Sequence, residues 1–352
     1  MRRFEWLLSV VTVVVCCGSL EAGIPNFRIA SDVQLGGYFG FHGDNVSYTG
    51  SDGYGKIKNL TSGLTYDVTP HANTMIDISP SYVTYMDSVG DGDIWAAQIN
   101  GDGSLASSLF QLAGPGDQWW PMISDNKVVW MDKRHGQWEI YSAALVGNSV
   151  SQTERLTYDG NHDIYPCIYG DNVVWQRRDA ANQTIGLFGM NVATGEDFTI
   201  FEGNAFGSGI YGDRVAYNAH SLDTGTMDIY VYDIVTKTST RIASGSSVQT
   251  YPDIYEDTVV WQDNRNGNWD IFAYNLTTGQ ETQLTDNPLD QIQPLIFGDM
   301  VVWQDYRDGG SIYGVGIRAV PVPSALILGS LGLGYAGWRV RRLKHGRSDT
   351  ES

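Results

Sequence analysis

The chain has 352 residues, 42% of them hydrophobic and 12% aromatic, ample material for a large core in one or two domains. Setting aside residues 1–22 and 339–352 leaves 15 basic and 36 acidic groups, a net charge of −21. So acidic a surface repels phosphate backbones and anionic headgroups, which argues against nucleic acid as a partner and against binding along a membrane surface.

The first element is a leader. Met1-Arg2-Arg3 is a basic start, residues 6–17 (W-L-L-S-V-V-T-V-V-V-C-C) are apolar, and small residues follow, the pattern of a secretory signal peptide over 1–22 cut near Ala22. The alternatives are an N-terminal anchor, for which the apolar run is short of the roughly 20 residues a span needs, and a lipoprotein through Cys16 or Cys17, whose preceding V-V-V lacks the small residue such a site prefers. The mature chain keeps only Cys167, so no disulfide framework is expected. Beside the core position Ile168, that thiol is expected to be inert.

From residue 23 to 320 the sequence repeats. A V-x-aromatic strand recurs with anchors at Tyr48, Tyr85, Trp130, Trp175, Tyr217, Trp261 and Trp303, spaced 37, 45, 45, 42, 44 and 42 residues apart, periods that suit one four-stranded blade per repeat. Seven residues before each anchor stands Ile or Phe; nine before stands Pro in four repeats (Pro121, Pro166, Pro252, Pro294); four before stands Asp in five, usually after Gly. The Gly-Asp pair reads as a tight hairpin turn. Nine to twelve residues after the anchor comes a second period-two run such as Glu139-Ile140-Tyr141 or Asp270-Ile271-Phe272, then a turn and a closing strand near Leu156-Thr157 or Leu284-Thr285. The abundance of Gly (41), Trp (11) and Tyr (20) favours turns and strands over helices.

The fold expected is therefore all-β, a seven-bladed β-propeller of four-stranded antiparallel blades. The seventh repeat lacks a fourth strand, and Phe27-Arg28-Ile29-Ala30-Ser31 closely matches Thr240-Arg241-Ile242-Ala243-Ser244 at the same offset from its anchor. The N-terminal strand is expected to complete that blade and remove the open edge. The run V-V-W-Q-D-N-R-N-G-N-W-D-I-F-A-Y-N-L-T-T-G-Q-E-T-Q-L-T (259–285) resembles the repeat of TolB-type propellers and related bacterial and archaeal surface proteins, over nearly all of 27–320. That resemblance implies the fold; such propellers serve as binding scaffolds, peptidase accessory domains or polysaccharide lyases.

Alternate connections of a meander share a face, and the long, chemically varied ones lie opposite the Gly-Asp turns. A site is expected there, at the mouth of the central channel: Gln118, Trp119 and Trp120; His162, Asp163 and Tyr165; Gln249 and Tyr251; Gln291 and Gln293. Aromatics with amides and a carboxylate line sugar sites. The competing reading is that Trp120, Tyr165 and Tyr251, each just before Pro, pack blade against blade. The recurring D-x-R-x-G loops (Asp132/Arg134, Asp263/Arg265, Asp305/Arg307) read as structural ion pairs, because a catalytic pair is normally present once.

No cofactor is expected. Asp87, Asp91 and Asp93 could offer oxygens to calcium, or form a solvated turn around Gly92. His42, His71, His135, His162 and His220 are scattered over different repeats, with no zinc, manganese or Ser-His-Asp pattern, and nothing matches the His cluster of oligogalacturonate-lyase propellers.

The chain closes on V-P-V-P-S-A-L-I-L-G-S-L-G-L-G-Y-A-G-W (320–338) and R-V-R-R-L-K-H-G-R (339–347). This segment, assigned to 321–352, resembles the PEP-CTERM sorting tails; Val322 stands where their Glu is expected, so the V-P-x-P variant is the closer likeness. It implies an exosortase-type processing enzyme as partner and display at the envelope or in an exopolysaccharide matrix. Read on composition alone it is one membrane span with its positive end in the cytoplasm. Either way 24–318 lies outside the cell, secreted to or held at its surface, and the membrane is met only through the C-terminal segment. The function expected is non-catalytic binding of a glycan or an envelope protein. The alternatives are a carbohydrate-active lyase or hydrolase using carboxylates such as Asp163, and a purely structural coat role.

Overall fold

In the computed structural model, residues 26–87, 92–114 and 116–317 are described. The expected leader, the expected tail and Asp91 lie outside the described residues. Each anchor segment begins with branched apolar residues that suit a pleated, buried strand, and it forms the second strand of a blade. Blade 6 shows the pattern: Gln249–Tyr255, Thr258–Asp263, Asp270–Asn275 and Gln280–Gln283 pair in sequence order. Blade 4 (His162–Tyr169, Asn172–Arg178, Thr184–Asn191, Glu196–Glu202) and blade 5 (Ala205–Tyr211, Arg214–His220, Met227–Asp233, Thr238–Ala243) repeat it. In blade 3 (Gln118–Ser124, Lys127–Asp132, Glu139–Val146) the outer strand is split into Ser149–Val150 and Glu154–Arg155.

The first and second strands of a blade meet through two-residue turns. His42 pairs with Asn45, Tyr169 with Asn172 and Phe297 with Met300, leaving Gly43, Gly170 and Gly298 at φ of 59°, 59° and 58°. Such hairpins require a positive φ there, which is why glycine recurs.

Blades 1 and 2 are fused. Thr65–Ile78 runs 14 residues without a break; its first part pairs with Tyr54–Asn59 as the outer strand of blade 1, and its last part with Tyr82–Asp87 as the inner strand of blade 2. The short 37-residue spacing between Tyr48 and Tyr85 leaves no residues for a loop between them. In blade 7, Gln291–Phe297, Met300–Asp305 and Ser311–Gly316 are joined by Phe27–Ala30, with Phe27 opposite Gly314 and Arg28 opposite Tyr313. The first strand thus closes the ring, as its sequence match implied.

The core lies between blades rather than at the centre of the disc. Seven hydrophobic clusters each join two neighbouring blades, such as Ile229, Trp261 and Phe272 between blades 5 and 6 and Tyr48, Val302 and Ile312 between blades 7 and 1. All seven anchors are at most 3% exposed. A Trp anchor truncated to Ala would cost about 3–5 kcal/mol.

Candidate functional site at the channel mouth

The site is built by a defect repeated in the innermost strands. In blade 6, Thr250 pairs with Gln262 and Asp253 with Val260, so Tyr251 and Pro252 together oppose the single residue Trp261. Blades 3, 4 and 7 carry the same bulge at Trp120-Pro121, Tyr165-Pro166 and Gln293-Pro294, each opposite an anchor Trp. Proline, lacking an N–H, fits where the ladder is interrupted. The residue before it sits at a positive φ: 62° for Trp120, 54° for Tyr165, 53° for Tyr251 and 52° for Gln293. Such a backbone costs a bulky residue of order 1–3 kcal/mol, and here it turns four large side chains into the channel.

These four line a cavity of about 200 Å³ together with Tyr38, at the matching position of blade 1. Trp120 sits at the centre of an edge-on cluster, its ring centroid 4.0 Å from Tyr38 and 4.6 Å from Tyr165. Tyr38 hydrogen-bonds Tyr251, and burial, reinforced by Tyr251 and Tyr165, raises its phenol above the usual range. Beside the mouth lies a groove of about 430 Å³ bounded by Gln34–Tyr38, Trp119 and Trp138. Trp119 is 46% exposed, Tyr251 44% and Tyr165 40%. Trp119 meets Trp138 edge-on at 6.4 Å.

The remaining residues expected at the mouth are distributed otherwise. Gln118, Asp163, Gln249 and Gln291, each two positions before the bulge, are fully buried. Arg177 grips Asp163 through Nε and Nη2 at 2.7 and 3.0 Å, and burial outweighs that partner in raising the Asp163 pKa. His162 is half-buried, its Nδ1 accepting the Trp138 amide at 3.2 Å. So Trp119, Trp120, Tyr165, Tyr251 and Gln293 are brought together, while the buried amides and Asp163 form their support.

Deeper in the channel stand two carboxylates that the sequence reading did not single out. Asp77 accepts the Ile123 amide of the next blade at 2.9 Å and the Ile78 amide of its own; Asp253 accepts those of Ile296 and Ile254 at 2.8 and 2.9 Å. Each fits against a glycine of the preceding blade, Gly40 or Gly209. Desolvation is the main reason their pKa values rise, Asp77 to about 7 and Asp253 to about 6. Some of their surface faces the channel, yet it is ringed by protein. Burial, with Asp253 and Asp77 nearby, pushes the Cys167 thiol up to about 12, so it stays protonated. The signal for these Asp residues was legible: each directly precedes the recurrent Ile. Tyr38 was equally legible, ten residues before its anchor like Trp120, Tyr165 and Tyr251.

The D-x-R loops are bracing. Arg134, Arg265 and Arg307 each return to their own fully buried Asp with the backbone N–H and the guanidinium. Each also lies over a ring, Tyr141, Phe272 or Tyr313, at 4.9, 4.2 and 4.2 Å. Among the described residues no group of three or more His, Cys, Asp or Glu could hold a metal ion. Of the three acids considered for calcium, Asp87 and Asp93 stand at the ends of one loop, the Asp87 amide donating to the Asp93 carbonyl at 2.8 Å.

No family model and no curated protein matches the chain. Solved structures do. The β-propeller domain of the Trilobed protease from Pyrococcus furiosus aligns at 14% identity over 82% of this chain and 95% of that one, TM-score 0.61. Oligogalacturonate lyase from Vibrio parahaemolyticus aligns at 13% over 84% and 94%, TM-score 0.61. The acylaminoacyl peptidase of Pyrococcus horikoshii aligns at 13% over 87% of this chain and 54% of its own, TM-score 0.60. At such identities the likeness is one of fold: the chain is a seven-bladed β-propeller similar to propellers that serve enzymes of quite different chemistry.

Proposed function

We propose that the chain is an exported, surface-displayed, non-catalytic propeller that binds a glycan at its aromatic mouth. The observation that carries this reading is the set of exposed aromatics at and beside the channel mouth, Trp119, Tyr165 and Tyr251, the last two held there by strained backbone. Strain is retained where the geometry it creates is used, and exposed indole and phenol faces suit the C–H faces of sugar rings. The net charge of −21 over residues 23–338 repels polyanions, so the ligand is an uncharged glycan of the envelope or exopolysaccharide matrix. The leader and the V-P-x-P tail support that address, with an exosortase-type enzyme acting on the tail.

What supports a binding role over turnover is the engagement of the nearby carboxylates. Asp163 is held by Arg177, and Asp77 and Asp253 each accept two main-chain amides. The test is a glycan array and neutral-polysaccharide pull-down with the wild type and Trp119→Ala. Trp119 is half exposed, so its loss should leave the unfolding midpoint nearly unchanged while binding falls away. Absence of binding to every neutral glycan, retention by Trp119→Ala and Tyr165→Ala alike, or a shortening of the polysaccharide would overturn the reading.

A further inference from the structure

The channel mouth is crowded on six blades and open on one. Tyr38, Met75, Trp120, Tyr165, Tyr251 and Gln293, from blades 1, 2, 3, 4, 6 and 7, line its cavity with side chains, whereas blade 5 lines it with Gly207. The backbone there is the same. Phe206 pairs with Asn218 and Ser208 with Tyr217, so blade 5 has the bulge of blades 3, 4, 6 and 7, with Gly207 at φ of 60°. Glycine eases such a backbone, yet four sister blades hold Trp, Tyr, Tyr and Gln in it at φ of 62°, 54°, 53° and 52°. Space does not demand glycine either: a Cβ would lie 3.4 Å from Asn218 Oδ1 and 3.8 Å from Pro252 Cδ, ordinary contact distances. Gly209, two residues on, differs, because a Cβ there would run into the carboxyl group of Asp253. Among the described residues no side chain takes the place over Gly207 in that way.

What surrounds this gap suits a sugar ring. Tyr165 of blade 4 and Tyr251 of blade 6 flank it and are both exposed, and phenol faces match the C–H faces of a pyranose. Asp253, in the same cavity, accepts the Ile254 amide on Oδ1 and the Ile296 amide on Oδ2. Each of these oxygens has a second lone pair for a hydroxyl. Beyond Asp253 the way narrows: Tyr169, Tyr211, Tyr255 and Phe297, of blades 4 to 7, stand ring beside ring at 4.8, 4.6 and 4.8 Å around the far end of the channel. The mouth cavity, about 200 Å³, is below the roughly 300–1,000 Å³ of pockets that enclose drug-sized ligands. It takes a ring and not a length of chain.

Resting on the glycan reading above, we propose that the gap over Gly207 is a slot for the terminal ring of a neutral glycan, held between Tyr165 and Tyr251 and above Asp253, so that the propeller reads chain ends rather than chain interiors. Gly207 is then the specificity-determining residue of the mouth, because it leaves the room that the other blades fill.

The test takes the neutral-polysaccharide panel of the pull-down above, with dextran, mannan and laminarin among its members, each intact and after partial acid hydrolysis, and offers it at equal mass to the wild type and to Gly207→Tyr. That variant gives blade 5 the residue of blades 4 and 6. Wild-type binding per unit mass should rise in proportion to the chain ends that hydrolysis creates. Gly207→Tyr should unfold cooperatively, with its midpoint lower by on the order of 5 °C, and should bind about tenfold or more weakly. Should it not fold, Gly207→Gln, which carries the residue of blade 7, takes its place with the same expectation. Wild-type binding that ignores the number of ends, or binding undiminished in the folded variant, overturns this proposal and leaves the glycan reading standing. Absence of wild-type binding to the whole panel overturns both.

Discussion

Alkalinity should loosen this propeller through the two channel carboxylates. Asp77 and Asp253 hold their protons more tightly in the folded chain than in the unfolded one, where the value is near 3.8 and rises on folding to about 7 and about 6. A raised folded pKa means that their stabilising contribution is complete below about pH 4 and is lost as pH climbs through about 6 and then about 7. The loss amounts to about 4 kcal/mol for Asp77 and about 3 kcal/mol for Asp253. Cys167 beside them stays protonated throughout, its pKa being about 12. In differential scanning calorimetry the midpoint should drop on the order of 10 °C between about pH 5 and about pH 8.5. The Asp77→Asn, Asp253→Asn double variant isolates the cause. Each Asn has one acceptor for two amides, costing about 1–3 kcal/mol per site at about pH 5, but it carries no charge to desolvate. The variant should therefore be the weaker protein in acid and no weaker than wild type in alkali. A wild-type midpoint that stays level over this range, or an equal slope in the double variant, refutes the argument.

Three further outcomes follow from the packing. Arg265→Ala strips the guanidinium from the fully buried Asp263 carboxylate and should cost about 3–5 kcal/mol in urea unfolding, whereas Arg265→Ala combined with Asp263→Asn should cost less. Gly209→Ala would bring a Cβ to 2.6 Å from the Asp253 Cα and 2.8 Å from the Ile254 amide nitrogen. Neither is a flexible atom, so soluble yield and midpoint should both fall, while Gly245→Ala, whose nearest neighbour is the Ser247 hydroxyl at 3.9 Å, should change stability little. Ile29→Ala, in the strand that closes the ring and packed against Gly314, should cost about 2–5 kcal/mol; removing 26–31 altogether exposes the edge of Ser311–Gly316 and should shift the protein to aggregates in size-exclusion chromatography.

Much of this molecule is written locally. The aromatic anchors and the Gly-Asp turns fix the strands, because burial alternates with period two and the hairpin demands a positive φ. Counting anchors gives seven blades, and the match of Phe27–Ser31 to Thr240–Ser244 gives the closure. The 37-residue spacing by itself reads only as one more blade period; that blades 1 and 2 share the unbroken strand Thr65–Ile78 is shown by the pairing. The direction of each side chain at the mouth was another matter. By period two, Gln249 and Tyr251 share a face, as do Gln118 and Trp120. The bulge at each x-Pro pair sets two residues against one, so the alternation fails there: Gln118, Gln249 and Gln291 are fully buried while Trp120, Tyr251 and Gln293 line the channel. That bulge is a property of the paired strands. Local pattern determines which strands form, and pairing between distant segments decides which side chains reach the channel.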